Sequence, residues 1–202
     1  MQYLIFILSL LVLKANAIDF ILFDEDDCAT EDDPNKTCID LNYGDCCGTF
    51  STSGDLYGAA AVSTGSTPIQ NTPTLRAYNE GGTPVAICGQ IRASWTLAND
   101  PNNPGTFPCA VGPAPSTYNG FKVESVVTGG GSRKRGESLG SVVEPNGYGV
   151  LENGTIYAVK QNSQLGQLYK EMEGKMTTKE RRSFIINHAE NKEGANAKVF
   201  RA

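Results

Sequence analysis

Six cysteines stand at positions 28, 38, 46, 47, 88 and 109 of a 202-residue chain, and none follows in the remaining sequence. An even number of cysteines in a chain exported to an oxidising compartment reads as a disulfide framework, here of three bridges among Cys28, Cys38, Cys46, Cys47, Cys88 and Cys109. Cys46 and Cys47 are adjacent, and in extended backbone neighbouring side chains point to opposite faces, so the doublet is expected to staple two different elements. Excluding a 46–47 bond removes about 3 of the roughly 15 connectivities and leaves the rest open. Cys88 and Cys109 then join each other or the amino-terminal cysteines. The second arrangement closes longer loops and stabilises more.

The compartment follows from residues 1–17. Leu4 to Leu13 form an apolar run of signal-peptide length, followed by the small-x-small site Ala15-Asn16-Ala17, so cleavage is expected after Ala17. The run is too short to span a bilayer, and no later segment reaches the length of a membrane span. The mature chain is therefore expected to be secreted, extracellular, free of a membrane span and monomeric. A net charge of −5 argues against nucleic acid as the main partner. The charge is uneven: residues 19–45 carry ten acids and one base, Lys36, whereas residues 133–202 carry twelve bases and eight glutamates.

Short β-branched and aromatic runs read as strands at 18–23, 58–63, 74–78, 84–91, 93–97, 121–128, 148–151 and 155–159. Gly, Ser, Thr, Pro and Asn punctuate residues 48–120 too often for a long helix, and Asn153-Gly154 signals a hairpin turn. Past Gln161, Leu165, Leu168, Tyr169 and Met172 recur at helical spacing. A second helix is expected from Thr177, with Glu180 completing a capping box. The predicted fold class is α+β: a disulfide-stapled antiparallel β domain, sandwich or barrel-like, over 18–128, followed by two short C-terminal helices. A flexible basic loop at 129–136 separates it from a hairpin-plus-helices segment, 137–202, packed on the β domain.

Catalytic constellations each lack a member. Gly136-Glu137-Ser138-Leu139-Gly140 matches a nucleophile elbow, but Val142 to Gly147 cannot open the helix that an elbow requires, and His188 is the only histidine. One histidine also rules out a histidine-based metal site. The acidic stretch 24–33 offers oxygen ligands, and Asp40 to Asp45 superficially resembles a calcium loop, yet the ligand order of such a loop is missing. No catalytic residue, metal or cofactor is assigned. Asn35-Lys36-Thr37 and Asn153-Gly154-Thr155 are glycosylation sequons, expected in loops. Lys134-Arg135 is a dibasic processing candidate. Trp95 and Tyr118, with Tyr43, Tyr57 and Tyr78, are candidate platforms for a glycan, although Trp95 alternates within a strand as a core residue would.

The order of leader, Cys38-Ile39-Asp40-Leu41, the Cys46-Cys47 doublet, Cys88-Gly89 and a cysteine-free tail containing Pro145 to Leu151 and Asn153 to Tyr157 resembles the small cysteine-rich secreted proteins of fungi that are counted as candidate effectors. The resemblance covers most of the mature chain. It implies action at a host or competitor surface, with an extracellular protein or glycan as partner, and brings no catalytic residues with it. The expected function is binding; the alternative is a secreted hydrolase, glycosidase or esterase, or a toxin or inhibitor without a recognisable catalytic motif.

Overall fold

A computed structural model describes residues 18–25, 28, 34–53, 56–63, 74–96, 109–111, 117–124, 140–152, 155–189 and 191–194. The signal segment, Asn153, Ser138 and the Lys134-Arg135 pair lie outside the described residues.

Two sheets and a pair of helices make up the fold, which is α+β as predicted. Strands β1 (Ile18–Phe23), β2 (Asn35–Leu41), β3 (Cys46–Gly48), β4 (Ala59–Ser63), β5 (Thr74–Gly81) and β6 (Ala86–Thr96) come first. They are followed by β7 (Ala110–Val111), β8 (Gly120–Glu124), β9 (Val142–Val143), β10 (Gly147–Glu152) and β11 (Thr155–Lys160). Helices α1 (Gln164–Met172) and α2 (Thr178–His188) precede a last strand, β12 (Asn191–Gly194). Sheet A has the order β12-β11-β10-β2-β1-β4-β7 and sheet B the order β6-β5-β8-β3-β9. All neighbours are antiparallel except β3 and β9.

β1 is buried along its whole length because both its faces are covered, which explains its unbroken apolar sequence. Ile18, Phe20 and Leu22 enter the core between the sheets, where they meet Leu75, Ala77, Phe121 and Val123 of sheet B. Ile21 and Phe23 enter a second cluster with Ile39, Ala59, Ala61, Leu151, Ile156 and Ala158. Burial of a large aliphatic or aromatic side chain is worth about 1.5–3 kcal/mol, so these alternating contacts are the main source of cohesion.

The three disulfides are Cys28–Cys109, Cys38–Cys47 and Cys46–Cys88. The doublet does staple two elements: Cys47 ties β3 to β2 across the sheets, and Cys46 ties β3 to β6. Gly120 makes room for the second tie, since a Cβ there would lie 3.2 Å from Cys88 Sγ and 3.0 Å from Ile87 Cγ2.

The helices form a third cluster against the β10–β11 hairpin, with Tyr169 and Ile185 packed on Val150 and Val159. Ser163 caps α1 by accepting from Gly166 N at 3.1 Å, and the capping box expected at Thr177 and Glu180 is complete. Only part of the predicted apolar stripe is used: Tyr169 is buried, whereas Leu168 is 42% exposed.

The segment after the basic loop differs from expectation. It is woven into the β domain rather than packed on it: β9 joins sheet B beside β3, and β10 pairs with β2 in sheet A through Gly147–Thr37, Tyr148–Lys36 and Gly149–Asn35. The reason is steric as well as apolar. Gly149 lets β10 approach β2 closely, because a Cβ there would fall 2.3 Å from Thr37 Oγ1. The strands predicted at 84–91 and 93–97 are one strand, β6, whose pairing with β5 shifts register near Arg92 and again between Gln90 and Ala86.

Candidate functional site

Pairing of β5 with β6 and β8 decides which side chains share the outer face of sheet B. Leu75 and Ala77 point into the core, so Arg76 between them points outward. The register sets Arg76 beside Lys122 on one side and Ser94 on the other, and sets Thr74 beside Glu124 and Thr96. Directly opposed residues of an antiparallel pair project from the same face. Arg76, Lys122, Glu124, Ser94 and Thr96 therefore lie together.

Glu124 organises the charges. Its carboxylate accepts from Arg76 Nη1 at 2.6 Å and from the Tyr78 hydroxyl at 3.0 Å, and lies 3.7 Å from Lys122 Nζ. Burial, together with the Glu124 charge, pushes the Tyr78 hydroxyl up to about 12, against a smaller opposing effect of Arg76. Tyr78 thus remains a donor throughout the physiological range, and the Arg76 guanidinium is held in one orientation.

At the rim of this face runs β6, an end strand of sheet B. Gly89, Gln90, Ile91 and Arg92 are consecutively exposed, Ile91 by 50%, where the bulge replaces regular alternation. Among the described residues Arg92 has no hydrogen-bond or ion-pair partner. Among the same residues it joins Arg76 and Lys122 to make three cations against two carboxylates, Glu124 and, at the same strand parity, Glu80. Glu80, further along β5, directs its carboxylate to Asn119 and the Ser51 amide instead. A net acidic chain therefore carries a local cationic face on a scaffold fixed by disulfides.

The residues singled out from sequence are distributed differently. Tyr118 is buried at 2% exposure, bridged to Tyr57 and edge-on to Phe121 with ring centroids 5.6 Å apart, so it cannot act as a glycan platform. Trp95 faces Leu75 and is partly buried against the inter-sheet core. Its alternation placed it inward, as the core alternative required. Tyr57 and Tyr78 are also buried. Asn35 opens β2 rather than sitting in a loop, and Thr37, the third residue of its sequon, is fully buried.

Of the stretch Asp40 to Asp45, the first two residues end β2 and Asn42 to Asp45 form the β2–β3 connection. Asp45 accepts from Asn42 N and Nδ2 and from Ser141 N and Oγ, at 2.8–3.2 Å. Burial works to raise its pKa, but these four hydrogen bonds together outweigh it and hold the carboxyl below the usual aspartate value. That carboxylate clamps the turn to the chain entering β9. Among the described residues no group of three or more His, Cys, Asp or Glu side chains is disposed to hold a metal ion.

After Ser138 the chain enters β9 rather than a helix, contrary to the geometry of a nucleophile elbow. His188 ends α2, stacked on Phe184 with centroids 4.5 Å apart and its Nδ1 2.9 Å from Phe184 O. Arg76, Arg92, Lys122 and Glu124 carried no motif. The only sequence signal for Arg76, Lys122 and Glu124 was polar alternation within Thr74 to Tyr78 and Phe121 to Glu124, and Arg92 had none.

Three disulfides point to an oxidising, extracellular-type environment. No described helix is long and apolar enough to cross a membrane. Comparison of the chain with protein-family models, with curated proteins and with solved structures found no match.

Proposed function

We propose that this is a secreted binding protein that acts at a host or competitor surface through the outer face of sheet B and its rim strand β6. The observation that carries this reading is the run of exposed residues at 89–92, with unpartnered Arg92, beside the pinned Arg76–Glu124–Tyr78 cluster. A rigid, part-buried charged cluster bordered by an exposed rim is what recognition with little ordering cost requires. The resemblance to small cysteine-rich secreted proteins of fungi supports the compartment and the kind of target, and the disulfides suit persistence outside the cell.

The test begins with expression from the native leader in a eukaryotic secreting host. The protein should reach the medium with Ile18 as its first residue. Labelled protein should then bind intact cell surfaces saturably, with binding lost in Ile91→Asp and retained in Leu168→Asp, a change on the helical side. Retention of the protein inside the cell, or equal binding by both variants, would overturn the reading.

A further inference from the structure

We propose that the ligand of this face is an anionic polysaccharide, contacted by Arg92 and by the pre-oriented Arg76. The inference rests on the reading that the outer face of sheet B is the binding surface, and adds the chemistry of what it binds.

Neutral glycans are commonly gripped by stacking on exposed aromatic rings. Here Tyr57, Tyr78 and Tyr118 are buried, Tyr43 is half-buried against the inter-sheet core and Trp95 is turned toward it. What the face offers instead is charge and hydroxyl groups. Arg76 and Lys122 share one carboxylate, so the cluster keeps a positive excess, and Arg92 adds a second uncompensated charge. Ser94 and Thr96 continue from Arg92 at alternate positions of β6, both exposed. Alternate strand residues repeat at about 6.6 Å, a spacing that lets an extended chain of repeating anionic units meet successive polar side chains. The acidic charge of the molecule is concentrated in residues 19–45, so the same polymer is repelled from that part of the chain.

Arg76 differs from Arg92 in what it has already lost. Its guanidinium is fixed by Glu124, so little side-chain freedom remains to be surrendered on binding. Arg92 is exposed and free, and it is the residue whose change leaves the fold intact.

The test uses the mature, disulfide-bonded protein and three immobilised polymers: polygalacturonate for carboxylate, heparin for sulfate and dextran as a neutral control. Retention is expected on one or both anionic polymers and not on dextran. Raising NaCl from about 0.05 M to about 0.5 M should weaken that binding by about tenfold or more. Arg92→Glu should weaken it by about tenfold with an unchanged unfolding curve, and Arg92→Lys by much less. Methyl-esterified polygalacturonate separates carboxylate recognition from recognition of the sugar ring.

Three results would overturn the proposal: no retention on either anionic polymer, retention indifferent to Arg92→Glu, or competition by polyglutamate as effective as by the polysaccharide, which would assign the face to acidic peptides. If anionic polymers fail while Ile91→Asp still abolishes cell-surface binding, the ligand chemistry is wrong and the binding face stands. If Ile91→Asp has no effect either, the reading of the face fails as well.

Discussion

Removal of the Cys46–Cys88 bridge by Cys46→Ala with Cys88→Ala separates chain closure from packing at the tip of the β5–β6 hairpin. The two cysteines are 42 residues apart, and closing a loop of that length in the unfolded chain corresponds to about 4 kcal/mol of stability. Cys28–Cys109 and Cys38–Cys47 already restrict the same stretch of unfolded chain, so the expected loss is about 3 kcal/mol. The structure also says where the native state should loosen. Ile87 and Cys88 lie over Gly120 of β8, so residues 81–88 lose their fastening to β3 while the inter-sheet core around Leu75 and Phe121 is untouched. Urea unfolding without reductant gives the global loss, and amide hydrogen exchange should show the largest fall in protection at 86–88. A loss below about 1 kcal/mol, with unchanged exchange at the tip, would refute the reasoning and assign the tip's position to the burial of Ile87 alone.

Asp45→Ala leaves the amides of Asn42 and Ser141 without their acceptor and should cost about 2 kcal/mol near neutral pH. Because the folded carboxyl titrates below the ordinary aspartate value, its contribution is complete above about pH 4 and is lost as pH falls through the lowered folded value, so wild type and variant should converge in acid denaturation series. Gly149→Ala drives a methyl group toward Thr37 Oγ1 and should destabilise by about 1–3 kcal/mol, with Thr37→Ala restoring part of the loss in a thermal unfolding cycle. Thr177→Ala removes the cap of α2 and should cost about 1 kcal/mol, read by far-UV circular dichroism on heating, whereas Thr177→Ser should cost little.

Legibility in the sequence followed the range of the interactions. β1, β5, β11 and both helices carry their own period or cap, and residues 18–23 announce a strand by composition alone. β2 does not: Asn35, Lys36 and Asp40 interrupt it, and Asp40 adopts a positive φ of 62° where a bulge against β1 leaves its amide bonded to the Asp19 carboxylate. β3 and β9 are three and two residues long and exist because partners distant in sequence pair with them. The doublet was informative because adjacency is a local geometric fact; the choice of Cys38 and Cys88 as partners was not. The cationic face was hidden for the same reason. Arg76, Arg92 and Lys122 come from three strands whose order in space, β6-β5-β8, differs from their order along the chain, and no local pattern encodes that neighbourhood. Aromatic residues misled because ring type alone does not say which side of a strand is wet.

The interlacing of β9 and β10 with the two sheets also sets a timetable for biogenesis. Every cysteine has left the ribosome well before Gly147, so oxidation can begin on a chain whose β2 still lacks its neighbour on one side and whose β3 lacks β9. Until the hairpin of β10 and β11 arrives, β2 presents an open row of amides and carbonyls, the kind of edge that pairs with other chains. The last stretch of the polypeptide is therefore the closing piece. A chain that stalls before it would be oxidised and adhesive, an aggregation hazard rather than a smaller functional protein.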